Sequence, residues 1–274
     1  MQGPAEPGAG PAWPAGLDEI DWSRPWLAPW RARGEPLARA ARRHGLVAAL
    51  NAAATDDMVL GAGRLQFVAQ AALPAGEAYE AFIARTACVP TRDKLHDLFN
   101  GLVWLGFPAL KRRLNELQAA AIAQAAPCDP RGAVRDALTL FDENAALLQA
   151  PPVLVEALRR RDWHALFIAH RGAWIDARLT LFGHALMEKL TRPRKAITAH
   201  VWLIEAPPGD GGAALVPGLT PELLAAKPFL PLPVLGVPGW WAPNKHPAFY
   251  RDAAVFRLER RHPEKKTAAS RPLS

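Results

Sequence analysis

The sequence predicts a mainly α-helical fold of the α+β class, with a small β element near residues 196–206. Half of the 274 residues are hydrophobic and 22% are charged, which is enough apolar material to form a core. Helical patterns dominate residues 78–190, where prolines and a glycine interrupt them. The segment 196–206, AITAHVWLIEA, is β-branched and apolar between turn residues, and it predicts a strand.

The chain length allows one large domain or two small ones. The Pro/Gly-rich segment 1–18 predicts a disordered lead, and the arginines and lysines of segment 259–274 predict a disordered basic tail. We expect a single globular domain between them, over residues 19–258.

Cysteine usage and the chain ends indicate the compartment. Cys88 and Cys128 form neither a disulfide framework nor a thiolate zinc site, which suits a reducing environment. The N-terminal residues lack the basic and apolar regions of a secretory signal. Five prolines in segment 228–244 are incompatible with a membrane-spanning helix. We therefore expect a cytoplasmic protein without a membrane segment.

Outside the central region the patterns are weaker. Residues 36–50 are rich in alanine and leucine with spaced arginines, which predicts a helix. Residues 64–73, RLQFVAQAAL, fit either a strand or a short helix, and the choice stays open. Residues 207–244 contain many prolines and glycines and predict irregular structure.

The segment 91–107 predicts one helix, capped by Thr91 and ended by Pro108. Its apolar face consists of Leu95, Leu98, Phe99, Leu102 and Leu105. Its other face carries Asp93, His96, Asp97, Asn100 and Trp104. A tryptophan on a polar face without lysine or arginine suggests the wall of a cleft. A helix–helix contact in which His96 and Asn100 are satisfied by hydrogen bonds fits the pattern equally well.

The next helix begins at Pro108 and places Lys111, Asn115 and Gln118 on one stripe. Lys111 and Asn115 extend the predicted cleft in one interpretation. In the other, which the ordinary surface preference of lysine and glutamine favours, the stripe is simply solvent-exposed.

Several runs of the sequence recur together in one known family. They are RDKLHDLFNGLVWLGFPALKRRLNELQ, LTLFDENAALL, FGHALMEKL followed by KAITAH, and LPVLGVPGWWAPNKHPAFYRDAAVFR. In this order, over roughly residues 20–258, the chain resembles the bacterial family called domain of unknown function 3025. The resemblance implies family membership but no activity, fold or ligand.

Segment 134–148 predicts a helix with a broad apolar seam and a narrow polar arc that contains Asp142 and Glu143. A carboxyl group among apolar neighbours can serve as a general acid or base, or it can pair with an arginine. Segment 173–190 predicts a helix with His184 and Glu188 one turn apart. Such a pair can chelate a metal or form a side-chain contact, and without a second motif we predict no metal site. His200 is interpreted as a core residue.

The closing block, GVPGWWAPNKHPAFYRDAAVFR, gathers aromatic rings around polar groups on a proline-restrained loop. Trp240, Trp241, Asn244 and Tyr250 suit a planar or sugar-like ligand by stacking and hydrogen bonding. The same rings could instead plug the end of a helical core, and the sequence supports both interpretations.

Two functions fit these observations. The first is a hydrolase- or lyase-like enzyme for a small polar or nucleotide-like ligand, with acid/base residues His96, Asp97, Asp142 and Glu143. Its predicted ligand contacts are Asp93, Asn100, Trp104, Lys111, Asn115, His184, Trp240, Trp241, Asn244 and Tyr250. The second is a non-enzymatic module that binds nucleic acid or an acidic protein, because the formal net charge is +7 and the tail is basic. Neither identifies a cofactor or an oligomeric state.

Overall fold

The computed structural model describes residues 16–124, 132–205 and 212–258. Its helices are α1 (Ala28–His44), α2 (Leu46–Ala53), α3 (Tyr79–Thr86), α4 (Leu95–Gly106), α5 (Pro108–Gln124), α6 (Ala133–Asn144), α7 (Pro152–Arg159), α8 (His184–Lys189) and α9 (Pro221–Ala225). Its strands are β1 (Val59–Leu60), β2 (Gly63–Arg64), β3 (Gln66–Ala69), β4 (Cys88–Thr91), β5 (Ala145–Gln149), β6 (Arg178–Leu181), β7 (Thr198–Leu203) and β8 (Leu230–Pro233). The predicted mainly helical α+β fold is confirmed.

The largest sheet has four strands in the order β6-β5-β7-β8. Strand β5 pairs antiparallel with β6 and parallel with β7, and β7 pairs antiparallel with β8. Two smaller pairs are β1 with β2, antiparallel, and β3 with β4, parallel. Strand β7 is the strand predicted near residues 196–206, whereas the sequence patterns did not predict β5, β6 or β8.

The start of the predicted helix at Thr91 is wrong. Helix α4 begins at Leu95, and Thr91 instead ends strand β4, where it pairs with Ala69 of β3. The hydroxyl of Thr91 donates to the carbonyl of Val89 and caps no helix. A cap signal is local in sequence, whereas strand pairing is decided by a distant segment.

Two longer helix predictions are also wrong, because each of the two segments contains a strand. The helix predicted over residues 134–148 ends at Asn144, and the chain continues directly into β5. The helix predicted over residues 173–190 is a 3-10 turn (Arg171–Asp176), strand β6 and then the short helix α8. A continuous apolar run fits a buried strand as well as a buried helix, so periodicity alone cannot separate them.

The remaining local predictions are partly met. The helix predicted over residues 36–50 is two helices, α1 and α2, because Gly45 between them has a φ of 84°, a left-handed conformation that ends α1. The open segment 64–73 contains strand β3 followed by a 3-10 turn (Gln70–Ala72). Strand β8 lies in the segment predicted to be irregular.

Two groups of buried hydrophobic residues form the core. The larger group joins α1, α2, α4, α5, α6 and α8. Phe141 lies inside it, with its ring centroid 5.2 Å from those of both Phe182 and Trp202. The smaller group packs α7 against the C-terminal segment and includes Phe167 and Tyr250. The helices that carry the candidate site therefore belong to the larger core.

The predicted lead, 1–18, lies outside the described residues up to residue 15, and the predicted tail, 259–274, lies entirely outside them. Leu17 is buried in the larger core, so packing begins two residues before the expected boundary at residue 19. The single-domain organisation stays a prediction. None of the described helices combines the length and the apolar composition that a membrane span requires.

Candidate functional site

Helix α4 supplies the first polar groups of the candidate site. Its second residue, His96, has a side chain that is 29% exposed, and Asn100 lies one turn later and is buried. The adjacent Asp97 has a different role. Its carboxylate accepts hydrogen bonds from the backbone N–H of Arg92 at 2.5 Å and from the Arg92 guanidinium at 3.0 Å. These bonds fasten the turn between β4 and α4.

Helix α8 brings a second histidine against the first. The Nε2 atoms of His184 and His96 are 3.0 Å apart, although the two residues are 88 positions apart in the chain. The Nδ1 atom of His96 lies 2.8 Å from Oε2 of Glu188, which is one turn after His184 on the same helix. The ring planes meet at 79° with their centroids 4.5 Å apart, so the two imidazoles contact edge to face and do not stack.

The last turn of α6 adds two carboxylates. Oε2 of Glu143 lies 3.5 Å from Nε2 of His184, and Oδ2 of Asp142 lies 3.7 Å from Nδ1 of His184. Lys111 of α5 donates to Asp142 at 2.5 Å and to the side-chain carbonyl of Asn100 at 3.0 Å. Together these contacts form a His–carboxylate cluster, which consists of His96, Asp142, Glu143, His184 and Glu188.

Burial and charge give the members of the cluster different proton affinities. Burial lowers the pKa of His184 to about 4, so its imidazole is neutral near pH 7. Burial alone would raise the pKa of Asp142, but the Lys111 ammonium brings it below its ordinary value. Burial and the adjacent Asp142 raise the pKa of Glu143. The neighbouring carboxyl groups of α6 therefore differ in their tendency to hold a proton.

A pocket of about 260 Å³ adjoins the cluster between α3, α5 and α6. We call it the central pocket; its polar lining residues are Tyr79, Glu80, Trp104, Lys111, Asn115, Gln118, Arg135, Thr139, Asp142 and Glu143. Asp142 and Glu143 belong to both the pocket and the cluster, so the two form one continuous site. Of the five residues predicted to line a cleft from α4, Trp104 is the one that lines this pocket.

The central pocket contains groups whose hydrogen-bonding capacity is unused. Nε1 of Trp104, Oε1 of Gln118 and Nε of Arg135 are buried and have no partner among the described residues. Nδ1 of His184, beside the pocket, is also buried and also lacks a hydrogen-bond partner among the described residues. Buried polar atoms in folded proteins are nearly always paired, so four such atoms in one region indicate that a ligand, ion or water completes them.

The α3 side of the pocket is fixed by hydrogen bonds. Asn100 donates to the Tyr79 hydroxyl at 3.1 Å, and Asn115 donates to the backbone carbonyl and the carboxylate of Glu80 at 2.9 and 2.5 Å. Burial raises the pKa of Tyr79 well above its ordinary value and also raises the pKa of Glu80. Asn100 and Asn115 therefore position the wall of the pocket.

A comparison with known protein families tests the resemblance seen in the sequence. The profile of a family described as Protein of unknown function (DUF3025) matches residues 65–260. The chain belongs to the DUF3025 family. No curated protein and no solved structure matches it significantly. The family description assigns no activity, so the function has to be inferred from the site.

Within the DUF3025 region, the structure brings together most of the residues singled out in the sequence. The residues found in the cluster, in the central pocket or in its supporting hydrogen bonds are His96, Asn100, Trp104, Lys111, Asn115, Asp142, Glu143 and His184. Asp93 and Asp97 are engaged elsewhere: Asp93 accepts from the backbone N–H of Leu46, at the start of α2, at 3.1 Å.

Sequence reasoning missed four polar residues of the central pocket. Arg135 and Thr139 lie on α6, and the other two are Tyr79 and Glu80. They begin α3, where no motif or neighbouring polar residue singles them out. The only signal was composition, because the chain has just two tyrosines, Tyr79 and Tyr250. Glu188 was noted as a partner of His184, but its contact is with His96.

The closing aromatic block has a structural arrangement of its own. Asn244, 1% exposed, donates to the carbonyls of Leu235 and Val237 at 2.8 and 2.7 Å. The Tyr250 ring stacks on Phe167 at a centroid distance of 5.2 Å. Trp240 and Trp241 pack against the hydrophobic core. These contacts fit the second sequence interpretation, in which the block closes the end of the core.

We therefore expect Asn244→Ala to destabilise the protein by about 2 kcal/mol, because buried carbonyls lose their donors. The urea midpoint would measure this loss, with the exposed neighbour substitution Lys245→Ala as the control. Ligand binding at the central pocket should be unchanged in the folded variant. Loss of ligand binding without loss of stability would instead support the ligand-binding role first predicted for this block.

Proposed function

We propose that this DUF3025 protein is an enzyme of the hydrolase or lyase type that acts on a small polar ligand in the central pocket. The observation that carries the proposal is that acid/base side chains from three separate helices meet beside one pocket. Helices α4, α6 and α8, which are far apart in sequence, place His96, Glu143 and His184 within one cluster, and the cluster opens into the pocket. Convergence of basic and acidic side chains beside a cavity is typical of catalytic sites.

The unused hydrogen-bonding groups support a ligand-binding role over a purely structural polar network. A network that only stabilises a core satisfies each of its members, because an unpaired buried group costs about 1–3 kcal/mol. Trp104 and Arg135 offer donors, and Gln118 offers an acceptor. A ligand with both kinds of group, such as a hydroxyl- or amide-bearing molecule, matches this set.

Glu143 marks the expected place of the reaction. Like Asp142, it lines the central pocket and approaches His184, at 3.5 Å, but it is the more exposed of the two residues. Its side chain is one-third exposed, so a ligand in the pocket can reach it. Hydrolysis and elimination both need groups that accept and donate protons beside the breaking bond. The reacting bond would therefore lie next to Glu143, with the rest of the ligand toward Gln118.

The alternative of a nucleic-acid or acidic-protein binding module has less support. The basic tail on which it depends lies outside the described residues. Within the described residues many arginines are engaged in ion pairs, for example Arg85 with Glu77, Arg160 with Glu156 and Arg192 with Glu19. Paired guanidinium groups contribute little net charge to a phosphate-binding surface. A cytoplasmic location stays an expectation.

The proposal is tested with a thermal-shift screen of polyols, sugars, amino acids, nucleosides and their phosphates. A ligand that binds only the folded state, at about a hundredfold excess over its dissociation constant, adds about 2.7 kcal/mol of stability. The decisive variant is Gln118→Met, which removes the unpaired acceptor while keeping the side-chain length. We expect it to fold with unchanged or greater stability but to lose the ligand-induced shift.

The exposed substitution Gln66→Met serves as the matched control and should keep the shift. Turnover of the identified ligand would then be followed in wild type and in Gln118→Met. A shift of equal size in Gln118→Met would place binding outside the central pocket. A flat screen over all these classes, with folded protein, would contradict the enzyme proposal.

A further inference from the structure

We infer that His96, His184 and Glu143 bind a divalent transition-metal ion of the zinc type. One nitrogen of each histidine and one carboxylate oxygen of Glu143 lie within 4.8 Å of one another. The inference deepens the proposed function by adding an ion to the same cleft, but it stands on the ligand set alone. No substrate is needed to test it.

The spacing of the ligand atoms suits such an ion. Zinc binds nitrogen and oxygen at about 2.0–2.2 Å with tetrahedral geometry, so two of its ligand atoms lie roughly 3.3 Å apart. The Nε2 atoms of His96 and His184 are 3.0 Å apart, and Nε2 of His184 is 3.5 Å from Oε2 of Glu143. The third pair, His96 with Glu143, lies within 4.8 Å, so the part-exposed Glu143 side chain has to move toward His96 to complete the coordination.

Hydrogen-bonding geometry also favours an ion between the two histidines. Nδ1 of His96 faces Glu188 at 2.8 Å, so a neutral His96 ring donates its proton there and turns the Nε2 lone pair toward His184. If Nε2 of His184 donates to this lone pair, Nδ1 of His184 remains a buried acceptor without a donor. If Nδ1 carries the proton instead, two lone pairs face each other at 3.0 Å. With His96 neutral, a metal ion between the two Nε2 atoms removes both conflicts.

The outer groups are those that accompany histidine ligands in metal sites. Metal-binding histidines usually donate their second ring N–H to a carboxylate or carbonyl, which fixes the ring and strengthens the ligand. Glu188 lies behind His96 in this way at 2.8 Å, whereas Oδ2 of Asp142 is 3.7 Å from Nδ1 of His184, beyond hydrogen-bond distance. His96 therefore has the outer contact of a metal-binding histidine, and its Nε2 lies 3.0 Å from that of His184.

The ligand set also indicates the class of metal. Two imidazoles and one carboxylate suit zinc and neighbouring transition metals, whereas magnesium and calcium prefer oxygen ligands alone. Three protein ligands leave a fourth position for water or substrate, as in catalytic rather than structural zinc sites. Because Glu143 lines the central pocket, an ion that it binds would lie beside that pocket. Asp142 and Lys111 would then be the charged groups beside the bound molecule.

The test is direct metal binding by the full chain, without an affinity tag and after removal of metals with a chelator. Calorimetric titration with Zn²⁺, and with Co²⁺ followed by its visible absorption spectrum, should show one bound equivalent per chain, and Mg²⁺ should bind far more weakly. His96→Ala and Glu143→Gln are the primary variants, because their side chains are 29% and 33% exposed and their loss leaves the core intact. Each should weaken Zn²⁺ binding by more than a hundredfold.

Glu188→Gln tests the outer contact and should weaken binding by roughly tenfold to a hundredfold. His200→Ala is the matched control, since His200 is a part-buried histidine of β7 outside the cluster, and it should bind Zn²⁺ like the wild type. Circular dichroism verifies that each variant is folded. Failure of the folded wild type to bind one equivalent, or unchanged binding in His96→Ala, would overturn the inference.

The metal inference and the proposed function can fail separately. Zinc binding that is lost in His96→Ala, together with a flat ligand screen, would keep the metal site and reject the enzyme proposal. A ligand-induced shift that depends on Gln118, in a folded wild type that binds no Zn²⁺, would keep the ligand pocket and reject the ion.

Discussion

Replacing Gly183 with alanine is expected to destabilise the protein by about 3 kcal/mol and to remove metal binding at the His–carboxylate cluster. A Cβ atom at this position would lie 2.5 Å from both the backbone nitrogen of Asn144 and the carbonyl oxygen of Glu143. These are backbone atoms at the end of α6, and they cannot rotate away as a side chain can. Overpacking of this kind usually costs about 1–3 kcal/mol, and the rigid neighbours place this case at the upper end.

The effect on the site follows from the position of Gly183. It immediately precedes His184, and its own N–H donates to the carbonyl of Ala145 at 2.8 Å. This close approach holds the start of α8 against the end of α6, and it thereby brings His184 to Glu143. Separation of the two helix ends by even 1 Å would move Nε2 of His184 out of the ligand spacing.

Urea unfolding and Zn²⁺ titration of Gly183→Ala would measure the two effects. Gly172→Ala is the matched control, because a Cβ atom there meets nothing within 4 Å. We expect the control to unfold and bind metal like the wild type. Wild-type stability in Gly183→Ala would show that the two helix ends are not packed as tightly as the structure indicates.

Replacing Lys111 with methionine is expected to destabilise the protein by about 3 kcal/mol. The side chains of Lys111 and Asp142 are 5% and 19% exposed, and the Lys111 ammonium lies 2.5 Å from the Asp142 carboxylate. Removal of one partner from a buried ion pair leaves an uncompensated charge, and such changes typically cost about 3–5 kcal/mol. Asn100 also loses the donor to its side-chain carbonyl.

A double-mutant cycle separates this charge effect from the loss of packing. Asp142→Asn in the Lys111→Met background removes the unpaired charge and should recover much of the lost stability. The control Arg112→Met removes an exposed cation from the same helix and should change stability by less than about 0.5 kcal/mol. If Lys111→Met and Arg112→Met had equal effects, the buried pair would contribute nothing specific.

The two substitutions probe different features of one site. Gly183 governs the distance between α6 and α8, whereas Lys111 balances the charge of Asp142 from α5. Gly183→Ala should therefore remove metal binding. Lys111→Met should leave the three metal ligands in place, and its folded fraction should still bind Zn²⁺.

Several functional side chains could be recognised from the sequence because their residue types did not suit an exposed helix face. His96, Asn100 and Trp104 share one side of a helix that is otherwise apolar, and the structure buries Asn100 and Trp104 there. Asp142 and Glu143 were recognisable from the narrow polar arc between apolar neighbours. A helical pattern of this kind depends on residues close together in the sequence, so it can be recognised without knowledge of the fold.

The roles within the site could not be predicted so well. Asp97 was predicted to act in catalysis, yet the structure engages it with Arg92 of the preceding turn. The closing block around Asn244 was equally compatible with ligand binding and with packing. In both cases the sequence identifies a polar group in apolar surroundings, but the partner of that group depends on segments that lie elsewhere in the chain.

The sequence by itself determined the mainly helical composition, strand β7 and the polar face of α4, because each depends on residues within a few positions of one another. Only the tertiary structure decided that residues 145–149 form a strand and that His184 lies against His96. Both outcomes depend on contacts between distant segments: β5 is stabilised by pairing with β6 and β7, and the two histidines are 88 residues apart. Hydrophobic periodicity indicates which side of a segment is apolar. It does not indicate which distant segment packs against that side.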